Sequence, residues 1–141
     1  MTVHLANVTA RAACDAINAL IDAGGAAGRL QIYDGARPAT ADEAPVGVML
    51  VEFTLGSPAF QASIEVGNGA TATANNVEAV TALATGTATW FRVVASDDDI
   101  VFDGSVTDTA GNGDLKLSTV AIAAGIDVSV VSLTATMPEG V

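Results

Sequence analysis

Three aspartates in a row are the side chains of this sequence best placed to do chemistry. Asp97, Asp98 and Asp99 are consecutive, and Asp103 lies across the predicted hairpin from them. Carboxylate oxygens crowded on a tight turn can hold Ca²⁺, a hard cation that takes about six to eight oxygen ligands. A second oxygen-rich stretch runs through Asp108, Asn112 and Asp114. Neither follows the EF-hand pattern, because no glutamate closes the loop at the twelfth position. Asp and Asn also favour turns for their local hydrogen bonds, and that preference alone accounts for both stretches. Paired carboxylates serve glycosidases too, but in a cleft at a fixed separation. With one Trp and one Tyr, an aromatic sugar platform is poorly supplied.

Other chemistries lack their parts. The sequence holds one histidine, His4, and one cysteine, Cys14. A serine triad needs a histidine beside the nucleophile with an acid behind it, and no G-x-S-x-G elbow is present. Tetrahedral zinc takes about four Cys or His ligands, more than the chain owns. No glycine stretch matches a Walker loop or a dinucleotide fingerprint. Cys14 stands among alanines, where a small buried thiol is expected. It has no second cysteine to pair with. Arg92 lies two residues from Trp90 and shares its strand face. It reads either as an interface anchor or as a rim arginine whose stem packs on the ring while its head meets an aspartate. The expectation is that no residue is catalytic, none binds a cofactor and none binds a metal; the chain is read as a non-enzyme.

The elements that must position these groups follow from periodicity. Residues 5–23 read as one amphipathic helix. Asn7, Arg11, Asp15, Asn18 and Asp22 form a polar stripe, and Leu5, Ala13, Ala16, Ile17, Leu20 and Ile21 the opposite face. Gly24 and Gly25 end it. Alternation then takes over. Residues 29–34 form a strand, and residues 35–45 a surface loop. Residues 46–55 are apolar on both phases, so a central strand covered on both sides is predicted, with the helix on one of them. Residues 70–85 are read as extended rather than helical. The runs 87–95 and 100–107 form a hairpin around residues 96–99, with Trp90 and Phe91 on opposite faces. Residues 126–137 shift phase at Val130 and Val131, as a β-bulge does, and bulges mark strands that bend from one sheet to another. The fold expected is mainly β: an antiparallel β-sandwich or jelly-roll-like domain of about seven or eight strands over 29–137, with one N-terminal helix, all in one domain over 1–141.

Composition narrows the partners. Half of the 141 residues are hydrophobic and only 15% are charged, against roughly 25% in an ordinary domain. Part of the surface is therefore expected to be covered by a partner or by copies of the chain; Ser, Thr, Gly and Asn supplying the polar face is the other reading. Five basic residues against sixteen acidic give a net charge of −11. That leaves no basic footprint for nucleic acid and disfavours an anionic membrane. No basic, apolar leader is evident and no stretch reaches the ~18 apolar residues of a membrane span, so synthesis in a cytoplasm is expected.

Two stretches carry a family resemblance. They are AINALIDAGGAAGRLQIYDGARP and TGTATWFRVVASDDDIVFDGSVTDTAGNGDLKLSTVAIAAGIDVSVVSLTATMP. Together they resemble small virion structural proteins of tailed bacteriophages, over most of the chain except residues 66–84. The resemblance implies a capsid decoration (cement) protein on the outer surface of the head, or an accessory piece of a tail or head fibre. It implies the major capsid protein or another virion protein as partner, a homo-oligomer, by analogy a trimer, and residence in the virion after synthesis in the host bacterium. It carries no catalytic residue across. The alternative is a tail-fibre or adhesin-like module that binds a host-surface glycan through the loops at 35–45, 97–99 and 108–114.

Overall fold

The computed structural model describes residues 3–139. One helix, α1 (Asn7–Ala19), tightens into a 3₁₀ turn at Leu20–Asp22. Twelve strands follow: β1 (Arg29–Tyr33), β2 (Met49–Thr54), β3 (Ile64–Glu65), β4 (Gly69–Thr73), β5 (Val80–Thr81), β6 (Gly86–Thr87), β7 (Trp90–Val94), β8 (Ile100–Thr107), β9 (Leu115–Leu117), β10 (Ala121–Ile122), β11 (Asp127–Val128) and β12 (Val130–Pro138). The protein is mainly β with one N-terminal helix, as its periodicity predicts. Eight strands form one sheet in the order β2-β1-β7-β8-β9-β12-β4-β3, and β10-β6 and β11-β5 form two short ladders. Among the described residues every pairing between these strands is antiparallel except β8 with β9. The large sheet is therefore mixed.

The sheet cannot be flat. Leu55 still extends the β1–β2 pairing, its N–H donating to Gly28 O. Four residues later, Ala59 O accepts from Asn75 N–H, beside β4 in the position β3 occupies. Four residues reach at most ~15 Å. The edge strands of a flat eight-stranded sheet stand ~34 Å apart. The sheet must roll until its edges nearly meet, so that β2-β1-β7-β8 faces β9-β12-β4-β3 across one core. This is a sandwich-like arrangement. Leu30, Ile32, Phe53, Phe91 and Val93 from one half meet Leu115, Leu133 and Ala72 from the other, all buried in a single cluster.

The helix corrects two expectations. Its buried line is Ala10, Cys14, Asn18 and Ile21, whereas Ala16 and Leu20, expected inside, are exposed. Most of the polar stripe is bonded to the chain between β2 and β4. Arg11 Nε donates to Ser63 O, Asp15 accepts from Ser63 N–H, and Asp22 accepts from Ala59 N–H. Backbone of the crossing segment needs partners once it leaves the sheet, and these side chains supply them. The helix also packs on β4 and β12 rather than on β2, where Ala70 and Ala72 let it approach closely. β2 is an edge strand and not a central one. Its double apolar phase has a different cause: Leu50, Val51 and Phe53 are buried while Val46 and Val48, before the strand begins, are exposed.

The other elements follow the periodicity. Residues 70–85 are extended, with β4 and β5 and no helix. β7 and β8 form the hairpin, and Trp90 and Phe91 are both buried on opposite faces. The register of β12 against β9 slips between Val130 and Ser132, leaving Val131 exposed. At that slip the chain leaves the small ladder of β11 and enters the large sheet.

Gly104 has a packing role. A Cβ there would lie 2.4 Å from the Phe91 ring. Gly104→Ala is expected to lower the unfolding free energy by ~1–3 kcal/mol, the cost of overpacking a filled core, measured by denaturant titration.

Candidate functional site

The side chains facing away from the core on β2, β1, β7 and β8 form a row: Glu52, Gln31, Arg92, Asp103. Register sets them opposite one another, since Gln31 pairs with Glu52 and with Arg92, and Arg92 with Asp103. Arg92 donates to Asp103 through Nε at 2.8 Å and Nη2 at 3.0 Å. Gln31 donates to Glu52 at 2.9 Å and accepts from the Tyr33 hydroxyl at 3.0 Å. Tyr33 stacks on Trp90 with 4.5 Å between ring centroids, and the Arg92 guanidinium lies 5.3 Å from the Trp90 ring. The hydrogen bonds to Asp103 hold the Arg92 pKa above its ordinary value, against the opposing effect of burial. Burial pushes the Tyr33 phenol up.

The part of this outward face around Arg92 and Trp90 is nonetheless buried. Arg92 is 2% exposed and Trp90 1%, so Arg92 is not the rim residue that one reading of its spacing implied. The chain after β1 covers it. Trp90 Nε1 donates to Asp34 O and Thr89 Oγ1 to Gly35 O. Val48 N–H donates to the Asp34 carboxylate. Pro38, inside the loop read as surface, is buried. Arg92 and Asp103 pair beneath this loop, whose own hydrogen bonds go to Trp90 and Thr89.

The acidic turn is also engaged. Asp98 adopts φ 73° and its carboxylate pairs with Arg29, which also lies 3.7 Å from Glu52. Asp97 accepts from Asp99 N–H. Asp103, across the hairpin, belongs to Arg92 instead. In the second stretch Asp108 accepts from Ala110 N–H, and Asp114 accepts from Ser105 at 3.5 Å. Among the described residues no three His, Cys, Asp or Glu side chains converge as a metal site would require. His4 is exposed.

Cys14 is buried at 3% exposure, its Sγ 3.6 Å from Ala135 O. Burial, and then the charge of Asp15, raise its pKa above 9.0. The thiol is thus held protonated, the opposite of an activated nucleophile.

One residue escaped periodicity. Asn18 is 6% exposed, and among the described residues its Oδ1 has no hydrogen-bond partner. Its Nδ2 reaches only Cys14 Sγ at 3.7 Å. The signal for its burial was the 4, 4, 3 spacing of Ala10, Cys14, Asn18 and Ile21. Asn18 lines an open cleft of about 210 Å³ together with Cys14, Phe91, Phe102, Asp103, Asp114 and Thr136.

No family model, no curated protein and no solved structure matches this chain.

Two outcomes are expected. Asp103→Ala leaves a buried unpaired guanidinium and should cost ~3–5 kcal/mol in a denaturant melt, while Arg92→Met with Asp103→Leu should recover most of that loss. A raised folded pKa favours the native state fully below the unfolded value and loses that contribution as pH climbs through the folded one. For Cys14 the loss begins above about 9.0. Wild type should therefore lose stability against Cys14→Ala as pH rises past 9.0, read as the difference in melting temperature.

Proposed function

We propose that this protein is a non-enzymatic structural component of a bacteriophage virion, a decoration or cement protein bound to the outside of the head. The observation that carries the reading is the placement of exposed apolar side chains at the sheet edges. Ile64 and Val66, on and beside edge strand β3, are 63% and 53% exposed. Val46, leading into edge strand β2, is 83% exposed. On a surface with so few charges, apolar side chains at strand edges suit contact with a repeated protein lattice or with other copies. The ionic groups support the same reading, because Arg29 and Arg92 are both paired within the chain, Arg92 in the interior and Arg29 at the surface. A net charge of −11 is better placed outside the shell than against packaged DNA. The partner is then the major capsid protein or another virion protein, and a homotrimer is the assembly expected.

A glycan-binding tail-fibre module has weaker support. Its candidate loops are acidic, but Trp90 and Tyr33 are buried and offer a sugar no stacking face.

Mass spectrometry of purified particles tests the reading. A copy number comparable to that of the major capsid protein is expected, together with binding of the purified protein to empty capsids. Absence from particles, or a few copies only, overturns the cement assignment; binding on a glycan array would favour the second reading.

A further inference from the structure

We propose that the cleft beside β8 is a strand-docking site, in which an extended peptide segment of a partner protein, carrying a lysine or arginine, inserts between β8 and β12 and completes the sheet. This stands independently of the virion reading.

The cleft is a strand position that the chain leaves empty. β9 has three residues, but its neighbours β8 and β12 have eight and nine. β9 meets β8 only at Val106 and Thr107, and meets β12 from Val130 to Leu133. Beside β9 the two long strands stand two strand spacings apart, about 10 Å. Before Leu115 the chain turns away, yet β8 and β12 run on. The cleft of about 210 Å³ lies in that interval, between Phe102 and Asp103 on one side and Thr134 to Met137 on the other.

Among the described residues, each wall turns main-chain groups toward the cleft that no other strand pairs, at Asp103 and at Thr136. Val106 N–H donates to Thr89 O, so the even residues of β8 from Phe102 on bond to β7. By the alternation of an antiparallel ladder, Asp103 directs its N–H and C=O into the cleft. Ser105 N–H, two residues on, points the same way, to Asp114. On β12, Ala74 N–H donates to Leu133 O, so the odd residues bond to β4. Thr136 then directs its N–H and C=O into the cleft, as Thr134 N–H does in donating to Asp114 O. Two facing rows of donors and acceptors at strand spacing are the pattern that another strand satisfies. The floor adds a second, independent feature. Asn18 is 94% buried, and among the described residues its Oδ1 is an acceptor without a donor. A buried polar atom left unpaired is costly, and a turn of the Asn18 amide toward the cleft would let a donor on the occupant remove that cost.

Charge selects the occupant. Asp114 lines the cleft, and its carboxylate is held only by contacts of 3.5 Å to Ser105. A second copy of the chain carries a net charge of −11 and is the less suited partner; a cationic side chain beside small β-forming residues is the matching one.

The test uses the isotope-labelled full chain and blocked octapeptides of alternating Val and Thr. One carries a central Lys, one a central Glu, and one the Lys with alternate backbone amides N-methylated. Amide NMR shifts confined to the surroundings of Asp103, Thr136 and Asn18 are expected with the Lys peptide. N-methylation, and Asn18→Leu in the protein, should each weaken binding about tenfold or more, the loss of at least one hydrogen bond. The Glu peptide should bind more weakly than the Lys peptide. The proposal is overturned by no shift at ~1 mM Lys peptide, the weak end of useful affinity. It is equally overturned by shifts elsewhere, or by N-methylated and Lys peptides binding alike. Equal binding of Lys and Glu peptides overturns the charge assignment. If Asn18→Leu fails to fold, the peptide comparisons on the wild-type chain decide alone.

Discussion

Arg92 and Asp103 face each other on the central hairpin, both nearly sealed from solvent. A buried guanidinium tolerates no slip of its partner, because an unpaired ion in the interior is far more costly than the pair. A one-residue shift between β7 and β8 would move Asp103 to the other face and place an aspartate in the core. The pair therefore favours one register, and that register sets Phe91 against Gly104 and Trp90 against Ser105. It also explains the loop after β1. The outward face of these strands carries ions and rings that require cover, and residues from Asp34 onward supply it through main-chain contacts to Trp90 and Thr89.

The second constraint is the short path between the sheet edges. Leu55 belongs to one edge and Ala59 to the other, so the strands between them must curl. Curling explains the helix. α1 covers the small-residue face of β4 and β12, and its polar side chains satisfy the crossing backbone around Ser63. The helix joins the two ends of the roll instead of lying on a flat sheet.

The shortness of β9 follows from the parallel pairing with β8. Reaching a parallel neighbour demands a return loop, here residues 108–114, which delivers the chain late and near the far end of β8. The cleft and the isolated Asn18 acceptor are consequences of that late arrival.

Much of this was written in the chain. Alternation marked the strands from Arg29 onward, the phase shift at Val130 marked the bulge, and the glycines after Ala23 marked the end of the helix. The hairpin around Asp97–Asp99 and the opposite placement of Trp90 and Phe91 were likewise legible, because each depends on local spacing. Tertiary structure decided the rest. Asn18 and Asp15 lie on one polar stripe of α1, yet one is buried and the other exposed, because the helix settles on β4 and β12 at an angle that periodicity does not specify. Arg92 is internal because a loop distant in sequence lies over it. Of the aspartates that looked the best candidates for chemistry, Asp98 is paired with Arg29 and Asp103 with Arg92. Local sequence determines which residues share a face, but which faces meet depends on contacts between segments tens of residues apart.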